Sequence, residues 1–239
     1  MGYILNIRAV GFDIGHTLIK YDNPLNWKSL YHPALQSVVK SCEIIESDDR
    51  IDIATRVLLK YNTRENYREY EVSSDIIFNE ILEAWEVNKT YLYRAKEAFY
   101  SYFQADAICF DDTVTALERL SADGLKLGFL TDVAYGMDNR FAFKDVAAIK
   151  HYFDVCLSSV DVGFRKPNKM GYTMLSKGMD VEPSQMMYVG DEEKDIIGAN
   201  KFGAVSVLIN RTGEQLEFGQ QYTIGSLLEI PIIITTHIM

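Results

Sequence analysis

Asp13 ends a short apolar segment, and Gly15 follows it two positions later in the stretch FDIGHTL. A buried strand that ends in an acid and a tight glycine turn is a common way to present a reactive group. Three later apolar segments are also followed by side chains that can do chemistry: Thr131 and Asp132 after KLGFL, Lys166 in the loop after VCLSS, and Asp191 and Asp195 after MMYV. Carboxylates act as nucleophiles or bind divalent cations, and a lysine stabilises negative charge, so these residue types together suit group transfer from an anionic substrate.

The segments that position these residues alternate between helices and strands in the second half of the chain. The segment VTALERLSADG predicts a helix that Gly124 closes, and KLGFLTD, VCLSS, MMYVGD and AVSVLIN predict buried strands. With a first strand at Arg8–Phe12, this alternation predicts an α/β fold built on a doubly wound parallel sheet. Ligands bind such sheets at the carboxyl ends of the strands, which is where the reactive side chains fall.

The stretch that follows the first strand has a helical pattern instead. From about Pro24 to Gln104, apolar residues recur at three- and four-residue intervals in SLYHPALQSVV, RIDIATRVLLKY, SDIIFNEILEAW and LYRAKEAFYSYF. We therefore predict a separate helical cap domain at residues 23–105, inserted into an α/β core domain at residues 1–22 and 106–239.

Each strand-end feature has a simpler explanation when it is taken alone. An aspartate at a strand end is more often a helix cap, and a lysine before proline is usually a solvated loop charge. All four features in this order, at the ends of successive strands, are much harder to explain in that way. The ordered set resembles the haloacid dehalogenase (HAD) superfamily, whose members are mostly phosphatases with a Rossmann-like fold. The resemblance runs from Arg8 to about Arg211, and the helical segment matches the superfamily's cap after the first strand.

The resemblance implies a role for each strand-end residue. The superfamily pattern is Asp-x-Asp-x-Thr, then a Thr or Ser, then a Lys, then Gly-Asp-x-x-x-Asp. Asp13 is similar to the nucleophile that takes up the phosphoryl group, Thr131 to the hydroxyl that holds a phosphate oxygen, and Lys166 to the cation that steadies both. The resemblance also implies that Asp132 contributes to phosphate binding. It further implies that Mg²⁺ is bound, directly or through water, by Asp13, the Gly15 carbonyl, Asp191 and Asp195.

Phosphoryl transfer fits these side chains on physical grounds. The reaction asks a protein mainly for positioning and charge neutralisation. A phosphate dianion repels a carboxylate nucleophile, so a cation must stand between them, and Mg²⁺ prefers oxygen ligands. The predicted function is therefore a HAD-like hydrolase, a magnesium-dependent phosphatase that acts on a small phosphorylated metabolite through an aspartyl-phosphate intermediate.

Gly15 departs from the superfamily pattern, which has a second acid at this position. In the superfamily's phosphatases that acid protonates the leaving group and later activates water, and general acid–base help of this kind is typically worth ~10²–10⁴ in rate. One interpretation is a substrate whose leaving group needs little protonation, such as an aryl or acyl phosphate. Another is that His16 or a cap residue donates the proton, because histidine is the side chain best matched to neutral pH.

Two further alternatives stay open. Relatives that break carbon–halogen or carbon–phosphorus bonds also lack the second acid. The halogen-cleaving relatives need no magnesium, so Asp191 and Asp195 count against that option. The carbon–phosphorus cleavers use a cap lysine, and nothing in the sequence singles out Lys28, Lys40 or Lys60 for that role. The last alternative is a catalytically impaired, phosphate-binding protein.

Substrate choice is expected to lie in the helical segment. It carries many aromatic residues, most of which we expect in its core, and the loop from Tyr21 to Trp27 must pass over the site. Arg64 and Arg68 in NTRENYREY either meet a second anionic group on the substrate or lie on an exposed helical face, which is the more common place for such residues.

Composition places the chain among ordinary globular proteins. It has 239 residues, 48% apolar and 24% charged, with a net charge of −10 that argues against nucleic acid as a partner. Three scattered cysteines indicate neither a disulfide framework nor a zinc site. No window approaches a membrane span, and no leader pattern stands at the N-terminus, so we expect no membrane partner, no signal peptide and a cytoplasmic location.

Overall fold

The computed structural model describes residues 6–21, 27–103 and 107–236 of the chain. The strands are β1 (Ala9–Phe12), β2 (Ile19–Tyr21), β3 (Ala107–Cys109), β4 (Lys126–Thr131), β5 (Val155–Ser158), β6 (Met186–Gly190), β7 (Val205–Ile209) and β8 (Tyr222–Ile224). Within these ranges, six strands form one parallel sheet in the order β5-β4-β1-β6-β7-β8, and β2 pairs antiparallel with β3. The predicted α/β fold with a parallel sheet is confirmed.

The helices follow the predicted order along the chain. They are α1 (Trp27–Ser41), α2 (Asp48–Tyr61), α3 (Ser74–Ala84), α4 (Leu92–Phe103), α5 (Thr113–Ala122), α6 (Asn139–Ala142), α7 (Ser159–Val162), α8 (Lys169–Gly178), α9 (Glu193–Phe202) and α10 (Ile230–Thr236). Every helical pattern between Pro24 and Gln104 is matched by a helix. The Ser47 hydroxyl caps α2 by accepting a hydrogen bond from the backbone N–H of Arg50.

Alternate residues of β1 show that both faces of the sheet are covered. Val10 and Phe12 lie in a core shared with α5 and α10, whereas Ala9 lies in a second core shared with α8 and α9. All four residues of β1 are buried. A central strand of a parallel sheet needs apolar side chains on both faces for this reason, which is why it reads as a short continuous apolar run.

Helices α1–α4, residues 27–103, form what we call the helical insert. Helix α1 packs against α2 and α4, and α3 packs against the same two helices. Their shared core is rich in buried aromatic side chains, as expected from the sequence: Tyr31, Phe78, Trp85, Phe99, Tyr100 and Phe103. The predicted boundaries of the cap domain fall at residues 22–23 and 105–106, outside the described residues, so the division into two domains stays a prediction.

The helical insert lies directly against the loop that follows β4. Tyr135 and Phe141 of that part of the chain belong to the core of the insert. Gly136 has a φ of +60°, and a Cβ at this position would collide with the backbone of residues 72–74. The loop after β4 therefore touches both the sheet and the insert. Among the described residues, no helix combines the length and apolar character needed to cross a bilayer.

Candidate active site

Asp13 lies at the carboxyl end of β1, which is a central strand between β4 and β6. Its backbone N–H donates to the carbonyl oxygen of Val189 in β6 at 2.9 Å, so the strand pairing continues through the residue. The side chain of Asp13 is 11% exposed, and Oδ1 lies 2.6 Å from Nζ of Lys166. The fold thus fixes the carboxylate of Asp13 at the edge of the sheet where ligands bind.

Lys166 reaches this carboxylate from the loop between α7 and α8. Its side chain is 1% exposed, and Nζ also lies 2.7 Å from Oδ1 of Asp195. Burial alone lowers the pKa of Lys166, but the negative charges of Asp13 and Asp195 outweigh burial and raise the pKa well above its usual range. A charged amine therefore bridges the carboxylates of Asp13 and Asp195, and its predicted contact with a substrate phosphate stays a prediction.

Asp191 and Asp195 are held at the start of α9. The Thr17 hydroxyl donates to Oδ1 of Asp191 at 2.9 Å, and Oδ2 of Asp195 accepts the backbone N–H of Glu192 at 3.1 Å in a capping box. Gly190 allows this arrangement, because a Cβ there would collide with the side chain of Asp195. The GDxxxD spacing places the first acid at the strand end and the second in the first turn of the helix.

The carboxylates of Asp13, Asp191 and Asp195 form one cluster. Each offers an oxygen, and these oxygens lie within 4.8 Å of one another. Burial, then the charge of Asp13 and that of Asp195, raises the pKa of Asp191 well above its usual range. The single ammonium of Lys166 does not neutralise three acids, and an all-oxygen donor set suits Mg²⁺. These residues fit the predicted magnesium ion.

Thr131 is the last residue of β4 and Asp132 follows it, but their side chains have different surroundings. Thr131 lines the cleft beside β5, where it pairs in register with Ser158. The Asp132 carboxylate accepts the backbone N–H of Lys166 at 3.0 Å and lies 3.3 Å from Nζ of Lys194. Burial raises the pKa of Asp132, but Lys166, Lys194 and Arg165 outweigh that and hold the pKa below its usual range. An ionised carboxylate repels phosphate, so only the backbone of Asp132 suits the predicted phosphate contact.

Gly15 and His16 form the turn after β1 and line the same cleft. Gly15 bridges to Ile19, and the His16 N–H donates to the Ile19 carbonyl at 2.7 Å. The His16 ring is exposed and lies 6.4 Å, centroid to centroid, from the ring of Tyr21. The carbonyl of Gly15 as a metal ligand and His16 as a proton donor stay predictions.

A cleft of about 910 Å³ lies between the helical insert and the carboxyl ends of the strands. The two arginines singled out in the sequence both line it but differ in exposure. Arg64 is 85% exposed and lies 3.4 Å from Glu192, whereas the Arg68 side chain is only 8% exposed. Neither arginine lies on a helix, because α2 ends at Tyr61. Arg64 is exposed, as that interpretation expected, whereas the burial of Arg68 makes the interpretation wrong for that residue. Residues 22–26, most of the loop expected to pass over the site, lie outside the described residues.

Apart from Thr17, which follows Asp13 by four positions, the sequence did not point to several residues of the site. Thr17 is the final Thr of the superfamily pattern, so its contact with Asp191 had a sequence signal. Lys194 lies 2.6 Å from Glu192, and the Tyr21 hydroxyl donates to Asp145 at 3.0 Å on the cleft wall. The contact between Tyr21 and Asp145, and that of Lys194 with Asp132, join residues from separate segments, which no local pattern reveals.

Comparison with known proteins agrees with this geometry. The model of the haloacid dehalogenase-like hydrolases matches residues 35–209, well over half of the chain. The chain belongs to this family. The matched segment starts after Asp13, so the family match does not include that residue, and its role as nucleophile stays a prediction.

The curated relatives of this chain include both phosphatases and dehalogenases. The glyceraldehyde 3-phosphate phosphatase of Methanopyrus kandleri is 34% identical over 104 residues, which cover 43% of each protein. The (S)-2-haloacid dehalogenase 1 of a Pseudomonas species is 29% identical over 127 residues, covering 51% of this chain and 54% of the relative. The matched part spans about half the length of these relatives.

Solved structures show the same fold over nearly the whole chain. A HAD phosphatase from Thermococcus onnurineus has a TM-score of 0.63 and 22% identity, covering 96% of this chain and 98% of that one. A 2-haloacid dehalogenase from Pseudomonas syringae has a TM-score of 0.68 and 20% identity, covering 96% and 99%. At this identity the likeness establishes the fold and leaves the substrate class open.

Proposed function

We propose that this hydrolase is a magnesium-dependent phosphatase that acts on a small phosphorylated metabolite through a phosphoryl group carried on Asp13. One observation carries the proposal: three carboxylates whose oxygens lie within 4.8 Å of one another, with the Lys166 amine against two of them. The curated relatives named as glyceraldehyde 3-phosphate and ribulose-1,5-bisphosphate phosphatases support a phosphorylated substrate.

Each residue of the cluster has a distinct part in the proposed reaction. An oxygen of Asp13 attacks phosphorus, and the bond between phosphorus and the leaving oxygen breaks. Lys166 holds the attacking carboxylate in place and, with the Thr131 hydroxyl, stabilises the charge on the transferred group. Asp13, the Gly15 carbonyl, Asp191 and Asp195 would hold Mg²⁺ directly or through water, and the ion would supply further charge neutralisation.

The second half of the proposed reaction returns the enzyme to its starting state. Water attacks phosphorus, the bond to the Asp13 oxygen breaks, and inorganic phosphate leaves. Gly15 offers no side chain to donate a proton in the first half or accept one in the second. Leaving groups that are stable as anions, such as aryl oxides, are therefore expected to react fastest. The helical insert, which forms one wall of the cleft, acts as the cap that selects the substrate.

Dehalogenation is the second candidate, because Gly15 supplies no acid and dehalogenases are among the relatives. Displacement of a halide by a carboxylate needs neither a proton donor nor a metal. A third nearby carboxylate would then only add repulsion around Asp13, which is why the phosphatase is preferred.

Carbon–phosphorus cleavage through Lys28 or Lys60 receives no support, and nothing singles out Lys40 for that role. A Schiff-base lysine must lose its proton near neutral pH. Hydrogen bonding to Glu65 raises the pKa of Lys28, and hydrogen bonding to Glu80 raises the pKa of Lys60. Both amines are therefore protonated at neutral pH and lie in exposed ion pairs.

The proposal is tested by turnover of p-nitrophenyl phosphate with Mg²⁺ and with a chelator. We expect hydrolysis that the chelator abolishes, and a fall in kcat on the order of 10⁴ or more in Asp13→Asn, since the nucleophile is lost. Asp123→Asn, an identical change at an exposed position, is the control and should retain full activity. Chelator-resistant release of chloride from (S)-2-chloropropionate, without phosphatase activity, would establish the dehalogenase instead.

A further inference from the structure

Arg68 is a buried cation of the cleft that the proposed reaction leaves unused. Its side chain is 8% exposed and lines the cleft. Nη1 donates to the carbonyl oxygen of Tyr61 at 2.8 Å. Nε and Nη2, in contrast, have no hydrogen-bond acceptor among the described residues. Buried charged donors without acceptors are costly, so an acceptor from outside the chain is expected at this edge of the guanidinium.

Glu71, the acid paired with Arg68, is already engaged by other groups. Its Oε2 accepts hydrogen bonds from Arg165 and from the Ser159 hydroxyl, and its Oε1 accepts the backbone N–H of Val72 at 2.9 Å. Nη2 of Arg68 lies 3.5 Å from Oε1, too far for a good hydrogen bond. Arg68 and Arg165 therefore compete for one carboxylate, and Arg165, which also lies 4.0 Å from Asp132, holds the closer contact with Glu71.

The electrostatic surroundings of Arg68 agree with this competition for Glu71. Burial lowers the pKa of Arg68, Glu71 offsets only part of that effect, and Arg165 lowers the pKa further. Other cations on the cleft wall have closer acids: Lys28 lies 2.5 Å from Glu65, and Lys194 lies 2.6 Å from Glu192.

A short backbone ladder places Arg68 beside the lysine of the active site. The Arg165 N–H donates to the carbonyl oxygen of Glu69 at 2.7 Å, and the Glu71 N–H donates to that of Gly163 at 2.9 Å. The two segments run antiparallel, with Tyr70 opposite Phe164. Residues 68 and 166 therefore leave the ladder at the same end, so the two cations lie on the same side of the cleft.

We infer that Arg68 binds a second anionic group of the substrate, so that the substrate is a phosphate ester that also carries a carboxylate or a second phosphate. The inference rests on the proposed function, which places the reacting phosphate at Lys166. Nε and Nη2 lie on one edge of the guanidinium and form a fork that matches two oxygens of a carboxylate or phosphate. One bound anion would accept hydrogen bonds from both buried donors of Arg68.

The test compares ligands that cannot react, so it does not depend on turnover. Phosphonates with a terminal carboxylate, two to four carbons long, are titrated by calorimetry into the full chain with Mg²⁺, against alkylphosphonates of the same length. We expect the carboxylate to tighten binding by about 10- to 100-fold at one length, as a charge-assisted bidentate pair does. Bisphosphonates of the same lengths show whether phosphate serves as well as carboxylate.

Two variants and one control test whether Arg68 is responsible for the preference for carboxylated phosphonates. Arg68→Gln should remove the preference, and Arg68→Lys should lose most of it because an ammonium keeps the charge without the fork. Arg94→Gln, an exposed arginine paired with Glu43, should keep it. If Arg68→Gln proves unfolded in a melting experiment, Arg68→Lys and the wild-type preference decide the matter.

The outcomes separate this inference from the proposed function. Equal binding of carboxylated and plain phosphonates, or a preference that survives in Arg68→Gln, overturns the role of Arg68 while aryl phosphate turnover stands. If the protein prefers carboxylated phosphonates, loses that preference in Arg68→Gln and shows no phosphatase activity, the anion site at Arg68 stands and the proposed reaction is overturned. No phosphonate binding at all overturns the role of Arg68, and turnover of p-nitrophenyl phosphate then decides the proposed function separately.

Discussion

Gly15 is the residue that most distinguishes this site. A Cβ at position 15 would meet nothing within 4 Å, and the left-handed conformation of the turn belongs to His16, with a φ of +56°. Neither space nor backbone conformation therefore requires glycine here. The missing acid is a feature of the chemistry rather than a demand of the fold.

Restoring an acid at this position tests that interpretation. We expect Gly15→Asp to raise kcat on an alkyl phosphate such as glycerol 3-phosphate by up to about 10²-fold, because the poor leaving group gains a proton donor. Turnover of p-nitrophenyl phosphate should change little, since its leaving group needs no proton. Steady-state kinetics on the two substrates provide the measurement.

Gly15→Asn is the matched control, since it adds the same volume without an acid. An equal rise in Gly15→Asn would mean that shape rather than proton donation matters. An unchanged rate on alkyl phosphates in Gly15→Asp would contradict the claim that the missing proton donor limits their turnover.

Among single residues, the sequence predicted those that lie at strand ends and missed those whose role depends on contacts with distant residues. Asp13, Lys166, Asp191 and Asp195 meet because the carboxyl ends of parallel strands share one edge of the sheet. The unsatisfied edge of Arg68 follows from what Glu71 binds elsewhere, and such competition for a partner leaves no pattern in the sequence.

The start of α5 shows how one side chain joins distant elements. Asp112 precedes the helix and accepts hydrogen bonds from Arg211 at 3.0 Å, the Ser226 hydroxyl at 2.8 Å and the Leu227 N–H at 2.9 Å. Burial raises the pKa of Asp112, but these partners outweigh burial and hold the pKa below its usual range. The ionised carboxylate thus fastens the segments after β7 and β8 to α5.

Asp112→Asn should lower the free energy of unfolding at pH 7 by roughly 1–3 kcal/mol, since hydrogen bonds to a charged acceptor are lost. A group whose pKa is lowered on folding stabilises the protein above its unfolded pKa, about 3.9 for Asp, and this stabilisation disappears as the pH falls through the folded value. The difference between wild type and variant in urea unfolding should therefore shrink below about pH 4.

Asp111→Asn, an identical change at the exposed neighbouring residue, is the control and should have little effect at either pH. A deficit in Asp112→Asn that persists undiminished in acid, or equals that of Asp111→Asn, would contradict the role of the charge.

Helices and strands long enough to show a regular apolar pattern were predictable from the sequence, whereas the shortest strands were not. The helices of the insert and strands β4 to β7 each carry enough apolar residues to show their pattern. Strands β2, β3 and β8 have three residues each, and β2 and β3 exist only because they pair with each other across the whole insert. A strand that depends on a partner so far along the chain has no local signal.

At the scale of the whole molecule, the sheet gathers the chemistry and the helical insert encloses it. Placing β1 between β4 and β6 brings Asp13 beside the ends of its neighbours, so four separate segments of the chain supply one site. The sequence predicted this convergence from the order of strands. The shape of the cleft above it depends on how the insert lies on the sheet, which is set by packing between residues far apart.

The central claim is that Asp13 receives a phosphoryl group within this cluster of acids, and rapid quenching in acid tests it most directly. With Mg²⁺ and excess p-nitrophenyl phosphate, mass spectrometry of the quenched protein should show one added phosphoryl group on the peptide that contains Asp13. The adduct should be absent with chelator and in Asp13→Asn. A burst of p-nitrophenol without an adduct, or an adduct on another residue, would contradict the account.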